Sequence, residues 1–108
     1  MARVHIDISV FAPDSAVGVV SGAMEVATVP RVGELMSFVS LKTLRVPSGL
    51  PVAALRLEVE RVLPAPHGSG NEALVMLSDL NMANREAAMQ MVAYLQDGFD
   101  LYFDEHEV

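Results

Sequence analysis

The chain has 108 residues, a net charge of −7, no cysteine and a hydrophobic content of 52%. This length suits one domain with a single core, so we expect one α+β domain over residues 1–108 and no global disorder. Polar residues interrupt every apolar run before membrane-spanning length, and the N-terminus shows no secretory signal pattern. Without cysteine there is no disulfide and no cysteine nucleophile, and cytoplasmic residence is the default expectation.

The first two predicted elements are strands. Residues 3–11 alternate between apolar and polar side chains, which is typical of a strand with one buried face. Residues 16–29 admit a helix, but several valines and the internal Gly18 and Gly22 favour a long, bent strand. We expect the glycines to mark a bulge or a sharp curve.

Three more strands are predicted in the middle of the chain. Residues 35–42 are apolar on both faces, and residues 52–63 alternate until two polar residues meet at Glu60 and Arg61. A one-residue slip of this kind predicts a β-bulge. Residues 64–72 are rich in proline and glycine and predict an exposed loop, whereas residues 73–77 form a short apolar run that predicts a buried central strand.

The C-terminal part predicts one helix followed by a strand. Asn81 or Asn84 is a suitable N-cap, and Gly98 is a suitable stop because glycine adopts the left-handed conformation without a Cβ clash. Residues 99–103 then alternate as a last strand. The core-facing stripe of the helix is predicted to contain Ala88, Met91, Val92, Leu95 and Phe99.

These elements predict a curved, mainly antiparallel sheet of five or six strands with one C-terminal helix and a last strand. Short connections between successive strands favour antiparallel pairing, and the glycines and the bulge favour strong curvature. Such a sheet is either open or partly closed into a small barrel, and the helix packs on one face or plugs one end.

The sequence contains no motif that identifies a catalytic site, and an enzyme is the less favoured class. His67, Gly68, Ser69 and Gly70 lack the spacing of a nucleophile elbow. The histidines lack the helical spacing of a zinc site, and no phosphate-binding glycine motif is present, so we predict neither metal nor cofactor. We expect no binding to membranes or to nucleic acid, since the few cationic residues lack aromatic partners for stacking on bases.

The strongest positive signal is the charge of the C-terminal part. Residues 79–108 carry seven acidic residues and one arginine, whereas residues 1–78 carry seven acidic and six basic residues. Acids interleaved with tyrosines predict a protein-binding surface, with a basic partner favoured. The predicted partner-binding residues are Met89, Tyr94, Asp97, Asp100, Tyr102, Asp104 and Glu105.

The leading functional hypothesis is therefore a small, non-enzymatic interaction module, such as an adaptor, an inhibitor or an immunity-like protein. If the last strand lies at the edge of the sheet, it also offers a route to a homodimer. The alternative is a small-ligand-binding protein or an enzyme, with its site in the mouth of the curved sheet near residues 64–72. For that site we predict Arg45, Arg56 and His67 as ligand-binding residues.

Overall fold

The computed structural model describes residues 1–38 and 56–105, which form an α+β fold of seven strands and one helix. Residues 39–42 of the strand predicted at 35–42, and residues 52–55 of the strand predicted at 52–63, lie outside the described residues. The elements in chain order are β1 (Ala2–Ala12), β2 (Ser15–Val26), β3 (Leu35–Ser37), β4 (Arg56–Pro64), β5 (Ala73–Leu77), β6 (Leu80–Asn81), α1 (Arg85–Phe99) and β7 (Tyr102–Glu105).

The sheet is mixed, with β1 near its centre. Its strand order is β3-β4-β5-β1-β2-β7, and β6 pairs with β1 beyond the end of β5. β1 is antiparallel to β2 but parallel to β5 and β6, so the prediction of a mainly antiparallel sheet missed these parallel pairs. The parallel pairing arises because β4 runs opposite to β5, so that β5, which follows it, lies beside β1 and runs in the same direction as β1.

The sheet is open, so the predicted alternative of a partly closed barrel is wrong. Within residues 1–38 and 56–105, the terminal strands β3 and β7 each pair with one neighbour and not with each other. α1 carries the chain over β1 and β2, from β6 on one side to β7 on the other. This crossover is absent from the sequence prediction, which treated the connections between strands as short.

The core lies between the helix and one face of the sheet. Alternate residues of β1 are fully buried, as the pattern of residues 3–11 predicts. The side chains that α1 buries are those of Ala88, Met91, Val92, Tyr94 and Leu95. In the part of the chain that the structure describes, no helix combines the length and hydropathy required to span a bilayer.

Two irregularities in the ladders agree with the sequence. β2 is a long strand, and the register passes from Val10–Gly18 to Phe11–Ala16, which leaves Val17 without a partner beside Gly18. In β4 the register leaves Glu60 without a partner, at the predicted phase slip. Both bulges increase the local twist of the sheet.

The helix begins where the sequence predicts but ends later. Asn84 is the N-cap, and its side chain accepts a hydrogen bond from the Ala87 N–H at 2.8 Å. The predicted stop at Gly98 is wrong, because the helix continues to Phe99 and Asp100 adopts the left-handed conformation, with φ 55° and ψ 39°. The extra residue places the ring of Phe99 against Phe38, with centroids 5.4 Å apart. Aspartate tolerates the left-handed region because its short side chain forms local hydrogen bonds.

Candidate functional site

The turn from α1 into β7 forms a corner of the molecule where the predicted acidic residues gather. The Asp100 N–H donates to the Gln96 carbonyl oxygen at 3.1 Å and closes the last turn of α1. β7 then pairs antiparallel with residues 18–21 of β2. We call the exposed residues of this region the C-terminal corner: Asp97, Asp100, Tyr102, Asp104 and Glu105.

β7 lies unusually close to β2 because residue 18 is a glycine. A Cβ on Gly18 would lie 2.3 Å from the carbonyl oxygen of Asp104 and 2.6 Å from the Phe103 ring. An ion pair between the Arg85 guanidinium and the Glu105 carboxylate joins the start of α1 to the end of β7. The position of the corner is thus fixed by backbone packing and by a contact to the helix.

The corner wraps around the sheet edge and does not form one flat surface. Phe103 pairs with the fully buried Val20, so Phe103 faces the core. Because side chains alternate along a strand, Tyr102 and Asp104 face the side of the sheet away from the helix. Glu105 faces the helix side, in agreement with its contact to Arg85.

Two of the predicted partner-binding residues lie outside the corner. Tyr94 is only 5% exposed, and its hydroxyl donates to the Phe38 carbonyl oxygen at 2.7 Å, so the prediction that it lies on the surface is wrong. The buried face of α1 is wider than the predicted core-facing stripe, and it includes Tyr94 beside Leu95. Met89 is 37% exposed on the outer side of α1, about 12 Å along the helix axis from Asp97 at 1.5 Å per residue.

An open cavity of about 690 Å³ lies against this corner. It places residues from both ends of the chain together, and its volume is within the usual range of small-ligand pockets. Its lining residues are Arg3, Ala23, Met24, Glu25, Phe99, Asp100 and Tyr102.

The charged groups of the cavity come from three elements. Arg3 of β1 is directly opposite Glu25 of β2 in the antiparallel ladder, and Asp100 adds a second carboxylate from the α1–β7 turn. Two carboxylates and one guanidinium give the lining a net charge of −1. Tyr102, 76% exposed, supplies an accessible aromatic ring beside them.

Sequence reasoning missed Arg3, Met24 and Glu25 as members of this site. A hairpin that turns at Pro13 and Asp14 does place Arg3 near Glu25, so that pair was accessible from the sequence. The position of the Arg3–Glu25 pair next to the C-terminal corner depends on the pairing of β7 with β2. No local pattern in the sequence encodes that pairing.

Two of the residues predicted for the alternative ligand site, Arg56 and His67, lie toward opposite ends of β4. Arg56 begins β4, which is about 26 Å long at 3.3 Å per residue, and His67 lies in the loop after the other end of the strand. Arg45 lies outside the described residues. In the predicted loop, the Ser69 hydroxyl oxygen accepts from the Asn71 N–H at 3.3 Å and so stabilises the turn.

Possible metal ligands are sparse in the described residues. Within 1–38 and 56–105, no three histidine or acidic side chains lie close enough together to hold a metal ion. His5 and Asp7 on β1 form a pair, with their Nε2 and Oδ1 atoms 3.7 Å apart. His106 of the acidic tail lies outside the described residues.

Comparison of the chain with protein-family models, with curated proteins and with solved structures finds no match. Function is therefore inferred from the geometry and charge of the C-terminal corner and of the cavity beside it.

Proposed function

We propose that the protein is a small, acidic, cytoplasmic interaction module without enzymatic activity, and that it binds a basic protein partner through the C-terminal corner. The observation that carries this proposal is the exposure of Tyr102. It is 76% exposed on an edge strand and has the exposed carboxylates of Asp100 and Asp104 on either side. Tyrosine combines a large apolar area with a polar hydroxyl group, and it is enriched among the residues that anchor protein interfaces.

Charge supports the choice of partner. Nearly all of the net charge of the molecule lies in its C-terminal part, and this field attracts basic surfaces while it repels other acidic ones. The corner wraps around the edge of the sheet. A partner that binds across this edge therefore contacts both Asp104, on the side of the sheet away from the helix, and Asp97, on the helix.

The test variant must leave the corner folded. Glu105 pairs with Arg85 and Asp100 ends the helix, so reversal of their charges would disturb the structure as well as the surface. Asp97 and Asp104 are both exposed, and their conversion to lysine changes the charge of the corner by +4. Asp14→Lys, in the β1–β2 turn at the far end of the hairpin, changes the charge by +2 and is the control for a charge reversal outside the corner.

The experiment is affinity purification with the immobilised chain, identification of the partner, and calorimetry with the purified pair. We expect Asp97→Lys combined with Asp104→Lys to weaken binding at least about tenfold, because four units of charge oppose a basic partner. We expect Asp14→Lys to change the Kd less than about twofold. If the double variant binds the purified partner as tightly as the unmodified chain, the proposal fails.

A further inference from the structure

β2 is longer than the strand that covers its outer edge. β1 pairs with the inner side of β2 from Ser15 to Val26, except at the bulged Val17, whereas β7 pairs only with Gly18–Ser21 on the outer side. Among residues 1–38 and 56–105, no strand pairs with the outer side of β2 at residues 23–26, whereas Gly22 lies against Leu101, whose Cα is 3.5 Å from the position of an added Cβ. This stretch of edge is a template for an added strand.

The uncovered edge lies along two cavities. The cavity beside the C-terminal corner includes Ala23, Met24 and Glu25, and a second cavity of about 310 Å³ is lined by Met24, Glu25 and Val26 together with Met36 of β3. The two cavities share the lining residues Met24 and Glu25, so they lie next to each other at the end of β2, and together we call them the groove. From Ala23 to Val26 the edge spans about 10 Å at 3.3 Å per residue, which matches four residues of an extended peptide.

We infer that this groove binds an extended segment of the basic partner as an added strand, with one arginine or lysine side chain between Glu25, Asp100 and the Tyr102 ring. The inference rests on the proposed function, and it specifies one site at which the basic partner contacts the protein. Charge complementarity selects the occupant, because two carboxylates outweigh the single guanidinium of Arg3 in the cavity. The exposed Tyr102 ring adds a surface on which a guanidinium can stack.

The probe is a library of six-residue peptides with blocked termini that present arginine, lysine, glutamate or alanine at each position. Binding is measured by fluorescence anisotropy at low salt. We expect selection of peptides with one basic residue at a fixed position. Replacement of that arginine by citrulline, which keeps the shape and removes the charge, should weaken binding about tenfold or more. N-methylation of alternate backbone amides should also weaken binding, because it removes hydrogen bonds to the strand edge.

The variants separate an electrostatic role from a structural one. Glu25→Gln and Tyr102→Ala should each weaken binding of the selected peptide several-fold, whereas Arg3→Gln should tighten it because a like charge leaves the cavity. A purely structural disturbance would weaken binding in all three variants. Asp14→Asn, about 30 Å away at the other end of the β1–β2 hairpin, is the control that should leave binding unchanged.

Amide chemical shifts locate the bound peptide. We expect the largest changes at residues 23–26 and not along β7. The inference is overturned if the citrulline peptide binds equally well, if Glu25→Gln has no effect, or if Arg3→Gln weakens binding. It is also overturned if the purified partner binds while no basic peptide does. In each of these cases the proposed function survives, because it is tested separately by Asp97→Lys combined with Asp104→Lys.

Discussion

Gly18 is the residue that controls the approach of β7 to the sheet. Only 2.3 Å separates the position of an added Cβ from the Asp104 carbonyl oxygen, and a backbone atom cannot rotate away as a side chain can. Gly18→Ala therefore forces β7 outward and opens the packing of Phe103. The close approach of β7 to β2 at the C-terminal corner thus depends on a residue without a side chain.

We expect Gly18→Ala to destabilise the fold by about 1–3 kcal/mol, the usual cost of overpacking. The measurement is chemical denaturation together with amide hydrogen exchange, in which residues 102–105 should lose protection before residues 4–10 of β1. Ala23→Gly is the comparison within the same strand and should leave the protection of β7 in place. Unchanged exchange at residues 102–105 in Gly18→Ala would contradict the close approach.

The Tyr94 hydroxyl connects the helix to the end of β3. Tyr94→Phe keeps the ring but removes the hydrogen bond to the Phe38 carbonyl oxygen, so a buried acceptor loses its donor. We expect a loss of about 1–2 kcal/mol in the free energy of unfolding, measured with urea. Tyr102→Phe is the matched control, because its hydroxyl belongs to a residue that is 76% exposed. Equal effects of the two substitutions would argue against the buried hydrogen bond.

At the scale of elements, α1 is held by its cap as well as by its buried face. Asn84→Ala removes the acceptor for the Ala87 N–H and should cost about 1 kcal/mol. Asn81, the other candidate cap, lies in β6 with an exposed side chain, so Asn81→Ala should change stability by less than about 0.5 kcal/mol. Thermal denaturation of both variants measures this difference, and the opposite order of effects would place the cap at residue 81.

Elements with a strong local pattern were predictable from the sequence. β1, β2, both bulges and the helix start follow from alternation, glycine placement and cap chemistry, all of which act within a few residues. The parallel pairing of β1 with β5 and β6 was missed because strand order depends on contacts between distant parts of the chain. The helix end was missed for a similar reason: burial of Phe99 against Phe38 outweighs the stop signal of Gly98.

The candidate site was predictable only in part. Asp100, Tyr102 and Asp104 stand out in the sequence by charge and by position in the last strand. Their neighbours Arg3 and Glu25 come from the first hairpin, and only the assembled sheet brings them together. Tyr94 shows the opposite error. It is close to the acidic residues in the sequence, but its side chain lies in the core, because the buried face of the helix is wide enough to include it.

At the scale of the whole molecule, the uneven charge predicts opposite salt effects for two kinds of association. Binding of a basic partner should weaken as salt rises from about 50 mM to about 500 mM, because screening removes attraction. Self-association through the edge of β7, the predicted homodimer, would bring Asp104 and Glu105 of both copies together. It should therefore strengthen with salt.

Sedimentation velocity over this salt range measures the second effect, and calorimetry with the purified partner measures the first. A dimer that dissociates as salt rises would contradict pairing through β7. Asp104→Asn is a useful variant here, because it should promote the dimer by the removal of repulsion while it weakens the binding of a basic partner.

Asp100 both ends the helix and lines the cavity, and these two roles favour different amino acids. Its φ of 55° is a conformation that glycine adopts with less strain than aspartate, but glycine has no carboxylate for a basic side chain. Asp100→Gly should therefore keep or raise the melting temperature while it weakens peptide binding, and Asp100→Asn should preserve the turn and weaken binding alone. Residue 100 is thus a point of stability–function trade-off, where selection for a more robust fold and selection for recognition would move the sequence in opposite directions.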